Sequence, residues 1–413
     1  MNERPSRPAH LRPALWLLLG AGGVALAASY LAPGSEGAEP APPAGSAERA
    51  PTNERERDGE RAAALATLRA RRAPNSTRFP PELARAPENA RLFTELAATS
   101  TDPREIEAAL RAIPFAYASR PTPRRPGPDA ELERVLLEHV ASEHPAIALA
   151  ALAAAAVPLM AKEPSAALTD AIVDLADADQ PTPRRYAALE ALNRVRPNRR
   201  ADSVLVAFER TLAAPEPHLV SLALLALGES GRSLEQSSAV NRDALAARVL
   251  ELAHHSDPGV RGRALFVLAE LPWLVAPKLR VEAARDHLDD RHPFVRAQAA
   301  ALSARCDQPM AIHWLVGLFG DLEPARYELT GWTQLDGKPG TLVHLLPGRS
   351  RVADAALFAA QSLAQGVSHA TPLRLTLGGR AASDETVLQN AKLARAWYRA
   401  ERARIPREFL EKP

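Results

Sequence analysis

The sequence predicts an all-α fold, an α-solenoid built from stacked helix pairs. From about residue 130 to residue 320, amphipathic patterns alternate with short turns that contain proline, and no run of β-branched residues interrupts them. Equivalent turn positions recur at spacings of 37, 35, 41 and 35 residues. These positions are Pro145, Thr182, Pro217, Pro258 and Pro293. Self-similarity at this period is typical of helical repeat proteins.

The pattern that follows each turn explains why helices would stack. A proline in the first helical turn has a preset φ and sacrifices no hydrogen bond. Residues six and nine positions after the turn are mostly small, as in Ala151 with Ala154 and Ala223 with Ala226, and share one face of the helix. A second amphipathic segment precedes each turn, such as Leu132–Val140 or Leu245–Ala253. The repeating unit is therefore a helix pair.

Composition and charge narrow the function classes. The 413 residues include 51 basic and 49 acidic side chains, and because residues 1–32 carry a net charge of +2, residues 33–413 sum to zero. A neutral body favours no nucleic-acid partner, since phosphate neutralisation supplies most non-specific affinity. The single cysteine, Cys306, excludes an intrachain disulfide and any cysteine-cluster metal site.

The N-terminal region predicts export. Residues Pro13–Ala32 form an uncharged apolar run of the length that crosses a bilayer, and three arginines precede it. The positive-inside rule then places the C-terminal body outside the cytoplasm, as in a single-pass protein of a bacterial inner membrane that contacts the membrane through this helix. The same run is also consistent with a cleaved signal peptide that ends at Ala25-Leu26-Ala27, which would release a periplasmic or secreted protein.

Proline-rich stretches divide the chain. Residues Pro33–Pro51 are typical of a semi-extended spacer, and Arg120–Pro128 can hardly be helical. The predicted divisions are an anchor or signal peptide (1–32), a charged, partly disordered linker (33–77), N-terminal helices (78–117), a proline-rich linker (118–129), about five repeats (130–320), an insertion (321–350) and C-terminal capping helices (351–413).

Two repeats carry a recognisable motif. The segment Asp257-Pro-Gly-Val-Arg261-Gly-Arg-Ala264-Leu-Phe-Val-Leu268 resembles the Asp-Pro-x-Val-Arg-x-x-Ala-x-x-Ala-Leu pattern of short bacterial HEAT-like repeats, the type also found in phycobilin lyase subunits. The segment from His292 to Ala299 is similar, with His in place of Asp. The resemblance spans about residues 130–320 and implies a HEAT-like α-solenoid without specifying a function. A half-match at Asp102-Pro103 suggests a degenerate further unit.

The C-terminal part departs from the repeat. Residues Tyr327–Leu346 alternate apolar and polar side chains on both sides of Asp336-Gly337, which predicts a small β-hairpin or a long loop inserted in the solenoid. The insertion either carries a binding surface or covers the last repeat. A terminal helix is expected from Ser383, its N-cap, to Arg404, with Val387, Ala391, Ala394 and Tyr398 as its buried stripe.

The sequence contains only weak indications of a catalytic or metal-binding site. The best metal-like constellation is His254, His255, Asp257 and His292, yet Asp257 and His292 occupy turn positions where a helix cap is wanted. Neither a Gly-x-Ser-x-Gly motif nor a glycine-rich phosphate loop occurs. The sequence thus indicates no catalytic residue and no cofactor.

A binding surface remains. The eighth position after the turn points away from the small-residue face, and three successive repeats place Glu190, Leu225 and Phe266 there. We hypothesise that Leu222, Leu225, Arg263 and Phe266 line a groove that binds a protein or peptide. The predicted function is a non-catalytic protein-interaction scaffold, with two alternatives: a metal-binding or enzyme-associated, lyase-like module, and a structural component of the cell envelope.

Overall fold

A computed structural model describes residues 54–73, 76–118, 129–161, 163–333, 339–345, 351–367, 372–375 and 382–410. The predicted anchor or signal run, the spacer at Pro33–Pro51, most of the proline-rich linker and the Asp336-Gly337 turn lie outside these residues. Within the described part of the chain, no helix combines the length and the apolar character needed to cross a bilayer.

The described residues form two compact units, one within 54–283 and 329–342 and one within 284–328 and 343–410. The helices that lie in the first unit are α1 (Glu54–Arg71), α2 (Pro81–Ala84), α3 (Ala90–Thr99), α4 (Pro103–Ala118), α5 (Ala130–Val140), α6 (Pro145–Leu159), α7 (Ala166–Leu175), α8 (Thr182–Asn193), α9 (Asp202–Thr211), α10 (Pro217–Glu229), α11 (Gly231–Gln236), α12 (Arg242–Leu252) and α13 (Pro258–Glu270). Helix α14 (Pro277–Asp286) crosses the boundary.

In the first unit, helices that follow one another along the chain pack together in pairs: α3/α4, α5/α6, α7/α8, α9/α10 and α12/α13. The second helices also stack on one another in the order α4, α6, α8, α10, α13, while the first helices α3, α5, α7 and α9 form a parallel series of contacts. Two layers of helices therefore repeat along the chain, which is the arrangement of an α-solenoid.

The repeat positions read from the sequence coincide with helix starts. Each of the five positions begins a helix: Pro145, Thr182, Pro217 and Pro258 begin the second helix of a pair, and Pro293 begins the next helix in the series, α15 (Pro293–Cys306). The small residues six and nine positions later are buried, and Ala151, Ala223 and Ala264 have no exposed surface. Because these side chains are small, neighbouring second helices can approach closely and stack without voids.

Helix α1 occupies part of the segment that was expected to be a linker. Leu65 and Leu68 lie three residues apart on one face of α1 and are 8% and 3% exposed. Two ion pairs hold the helix and the residue after it: Arg69 lies 3.2 Å from Glu105, and Arg72, directly after α1, lies 3.1 Å from Asp102. A charged, alanine-rich helix thus gains tertiary partners that its composition alone does not reveal.

The second unit contains α15 (Pro293–Cys306), α16 (Ile312–Leu315), α17 (Val352–Ala364) and α18 (Asp384–Glu401). Helix α17 packs on both α15 and α16, so the helix-pair arrangement recurs here. Helix α18 packs on α17, and Ser383 caps it by accepting a hydrogen bond from the Thr386 amide at 3.2 Å, as expected.

Two strands, β1 (Arg326–Thr333) and β2 (Pro339–Leu345), pair in one two-stranded sheet. The chain enters and leaves this segment at one place, because Pro324 and Arg351 form an antiparallel bridge. The Val352 amide donates to the Glu323 carbonyl at 3.1 Å, next to the bridge. The segment between Pro324 and Arg351 is thus an excursion from the turn that precedes α17.

Candidate functional site

The outward-facing side of helices α8, α10 and α13 carries the residues that the sequence singled out. We call this surface the second-helix face and define it by Glu190, Leu225 and Phe266, one from each helix. All three side chains are partly exposed. The helices α8 and α10, and α10 and α13, are direct neighbours, so the three residues belong to adjacent elements of one layer.

The four residues of the hypothesised groove are not equally accessible. Leu225 and Phe266 are partly exposed, whereas Leu222 and Arg263 are each only 6% exposed. Positions five and eight of a helix are about 60° apart around its axis, which takes Leu222 and Arg263 toward the flank of the exposed surface. The accessible apolar surface therefore depends on Leu225 and Phe266, while Leu222 and Arg263 are buried beside it.

A glycine fixes the position of Phe266. A Cβ atom added to Gly228 in α10 would lie 2.6 Å from Cε1 and 2.8 Å from Cδ1 of the Phe266 ring. Real Cβ atoms do not approach aromatic carbons so closely, and hence the ring of α13 rests directly on the α10 backbone. The Arg263 guanidinium carbon lies 5.8 Å from the centre of the same ring, within the range of a cation–π contact.

A charged cluster centred on Glu229, one helical turn after Leu225, lies beside this surface. Its carboxylate is 3.7 Å from the guanidinium of Arg200, whose side chain is fully buried. Burial raises the pKa of Glu229, and the charges of Arg200 and Arg263 oppose that rise. Burial lowers the pKa of Arg200 to about 10 and that of Arg263 to about 10, so both remain charged at neutral pH.

Arg200 joins the ends of two helices. Its guanidinium donates to the Asn193 carbonyl at 3.0 Å and to Ser230 Oγ at 2.6 Å, and it also bonds the Ala226 carbonyl. The Asn193 and Ala226 carbonyls lie at the C-terminal ends of α8 and α10, where a helix leaves its last carbonyls without intrahelical partners. One buried cation thus satisfies both ends and aligns the helices that carry Glu190 and Leu225.

The N-terminal ends of α8 and α10 are also tied together. Glu216 immediately precedes α10 and accepts from Arg185 at 3.4 Å and from Thr182 Oγ1 at 3.1 Å, both in α8. The rings of Tyr186 and His218 lie 5.8 Å apart on the same side. Burial lowers the pKa of His218, with Glu216 opposing the change. Helices α8 and α10 are therefore joined at both ends by polar contacts.

The metal-like constellation is arranged for helix capping. Asp257 accepts a hydrogen bond from the Val260 amide at 3.0 Å, and His292 Nδ1 accepts one from the Phe294 amide at 3.3 Å. His255 Nδ1 accepts from the Asp257 amide at 3.0 Å, while His254 is exposed. Among the residues that the structure describes, no three His, Cys, Asp or Glu side chains form a group that could hold a metal ion.

No family model and no curated protein matches this chain. Three solved structures illustrate the structural likenesses that exist. Yeast importin-beta (Kap95p) is 14% identical over 84% of this chain and 44% of that chain, with a TM-score of 0.49. A Kap95:Nup1 complex is 15% identical over 84% of this chain and 44% of that chain, with a TM-score of 0.48. An engineered protein is 15% identical over 84% of this chain and 96% of that chain, with a TM-score of 0.41.

The chain spans less than half of the length of the importin-beta chains it resembles. With TM-scores below 0.5, these likenesses support no conclusion about this chain. The assignment as an α-solenoid therefore rests on the helix pairs themselves, and the candidate site rests on the contacts of the second-helix face.

Proposed function

We propose that this protein is a non-catalytic scaffold that binds a polypeptide on its second-helix face. The observation that carries the proposal is the pair Leu225 and Phe266, which stay partly exposed on neighbouring helices of a tightly packed layer. Clustered exposed apolar side chains indicate an interaction site more strongly than scattered ones. Aromatic anchors held rigidly before binding lose little conformational entropy when a partner arrives.

The rigidity of the site supports this use. The Phe266 ring is seated on the backbone at Gly228, and Arg200 and Glu216 hold α8 and α10 together. Glu190 and Arg194 pair at 3.3 Å on the edge of the surface and provide a polar rim. An apolar centre with a charged rim is the usual composition of a protein–protein interface.

The finer features of the proposal come from the sequence. We infer that the helix pairs are short bacterial HEAT-like repeats, on the strength of the motifs that begin at Asp257 and His292. The apolar run Pro13–Ala32 supports an extracytoplasmic protein, tethered to a bacterial inner membrane by that run or released by cleavage after it. Sequencing the N-terminus of the protein purified from native membranes distinguishes these two forms.

Site-specific photocrosslinking tests the binding surface. A photoreactive residue replaces Leu225 in the full chain, and the matched control places it at Leu279, a 43% exposed leucine of α14. The proposal predicts a discrete crosslinked polypeptide from position 225 that is absent at position 279 and that is lost when Phe266→Ser is added. Identical crosslinks from both positions, or crosslinks that survive Phe266→Ser, would refute the binding surface.

A further inference from the structure

Helix α18 and its C-cap residue carry a row of four basic side chains, Lys392, Arg395, Arg399 and the C-cap Arg402. They follow one another at intervals of three, four and three residues, which places them on one face of the helix. With a rise of 1.5 Å per residue, the row extends over about 15 Å. All four side chains are exposed.

The fold of the second unit directs this row outward. Val387, Ala391 and Ala394 occupy another face of α18 and are at most 1% exposed, so that face is committed to packing. The Arg395 guanidinium also lies against the backbone, since a Cβ at Gly320 would be 3.0 Å from its Nη2. The row thus has a fixed orientation on a helix that is anchored along the adjoining face.

No acidic side chain of the described residues forms an ion pair with the four members of the row. Two acidic residues near the ends of α18 pair with other arginines: Asp384 is 2.7 Å from Arg351, and Glu401 is 3.0 Å from Arg404. Four like charges on one face repel each other, and a complementary partner relieves that repulsion.

An exposed leucine accompanies the charges. Leu388, one turn before Lys392, lies on the same face as the row and is 40% exposed. A partner that only neutralised charge would leave this side chain in water. A partner with both carboxylates and apolar side chains would bury it.

We propose that the basic row of α18 is a docking surface for an amphipathic helix of a polypeptide partner with acidic side chains at three- and four-residue spacing. Successive charges of the row are about 4.5, 6 and 4.5 Å apart along the axis, which matches the rise between carboxylates on a facing helix. An extended strand presents same-side residues about 6.6 Å apart and would fall out of register over the row.

The same observations disfavour other anionic partners. Residues 33–413 carry no net charge, so the row is a local feature on a neutral body rather than part of the broad basic surface that a nucleic acid requires. The surface lies on α18 and uses none of the residues of the second-helix face, so each proposal can fail without the other.

Binding of a defined peptide tests the proposal. The probe is a fluorescent helical peptide of about 18 residues, in which four glutamates repeat the spacing of the row and leucines flank them. Its control has the same composition but distributes the glutamates around the helix. Fluorescence anisotropy with the full chain in mild detergent should show tighter binding of the matched peptide, and added salt should weaken that binding.

Neutralising the row with Lys392→Gln, Arg395→Gln, Arg399→Gln and Arg402→Gln should weaken binding about tenfold or more. A second variant carries only Lys392→Gln, Arg399→Gln and Arg402→Gln and keeps Arg395, which packs on Gly320. It should lose most of the peptide affinity while its circular dichroism spectrum stays unchanged. The matched control Arg196→Gln with Arg199→Gln changes two exposed arginines of the first unit and should bind as the wild type does.

Three results would overturn the proposal. Equal affinity for the matched and the control peptide would show that only charge is sensed. Unchanged affinity in both row variants would place the peptide elsewhere. Preferential binding of an equally charged DNA oligonucleotide, or of nanodiscs with anionic lipid, through the same four residues would identify a nucleic acid or a membrane as the partner.

Discussion

The contact between Gly228 and Phe266 predicts how Gly228→Ala changes the free energy of unfolding. The change should be unfavourable while the Phe266 ring is present and favourable once the ring is removed. In Gly228→Ala, the new methyl group would stand 2.6 Å from the Phe266 ring, well inside the ordinary carbon–carbon contact distance of about 3.5–4.0 Å. Either the ring or the α10 backbone must move. Overpacking of this kind costs about 1–3 kcal/mol.

An opposing effect comes from the helix itself. Alanine inside a helix is about 1 kcal/mol more favourable than glycine. Gly228→Ala should therefore lower the free energy of unfolding by about 0–2 kcal/mol, since the steric cost of about 1–3 kcal/mol exceeds or matches the gain in propensity.

Removing the ring isolates the steric part. In a Phe266→Ala background the clash is gone, and Gly228→Ala should then stabilise the protein by up to about 1 kcal/mol. The double-mutant cycle should thus report a coupling of about 1–3 kcal/mol. Urea unfolding followed by circular dichroism measures all four proteins, with hydrogen exchange in α10 and α13 as a local readout.

Gly59 serves as a control that isolates the effect of helix propensity on stability. Gly59 in α1 has open space where a Cβ would stand, so Gly59→Ala should stabilise in either background. If Gly228→Ala stabilises the protein equally with and without the Phe266 ring, the ring is not seated on the α10 backbone, and the rigid anchor inferred for the second-helix face is refuted.

Three further predictions follow from the contacts described. Arg200→Gln leaves the carbonyls at the ends of α8 and α10 and the Glu229 carboxylate without their cation, and should destabilise the protein by about 3 kcal/mol in urea unfolding; stability equal to wild type would contradict the clamp. Because burial lowers the pKa of His218, the unfolded chain binds this proton more readily; stability of the wild type relative to His218→Gln should rise from pH 5 to pH 7.5, and a pH-independent difference would contradict this. Ser383→Ala removes the N-cap of α18 and should cost about 1 kcal/mol, whereas Ser383→Asp should retain the wild-type midpoint; equal midpoints for both variants would contradict the capping role.

The starts of the second helices could be predicted because one residue determines each of them locally. Pro217 or Pro258 has a fixed φ and fits only the first turn, and Asp257 supplies the side-chain acceptor that the exposed amides need. Such signals are contained within four or five residues. The sequence therefore predicts the repeat period and the buried small-residue face.

The details of the candidate site depend on distances between helices, which the linear pattern does not contain. The close approach of Phe266 to Gly228 joins residues of two repeats, and Arg200 reaches carbonyls that belong to two helices. Position alone likewise did not distinguish the buried Leu222 from the partly exposed Leu225. A glycine within an otherwise regular helical pattern, as at Gly228, is the one local signal of such an approach.

The bridge between Pro324 and Arg351 has a consequence for how this protein can change. Because the two ends of the excursion are already held side by side, lengthening or exchanging the segment between them adds little closure entropy, which grows only slowly with loop length. The turn before α17 should therefore tolerate insertions. New sequence can be acquired there during evolution, or a reporter domain can be grafted, while α17 keeps its packing on α15 and α16.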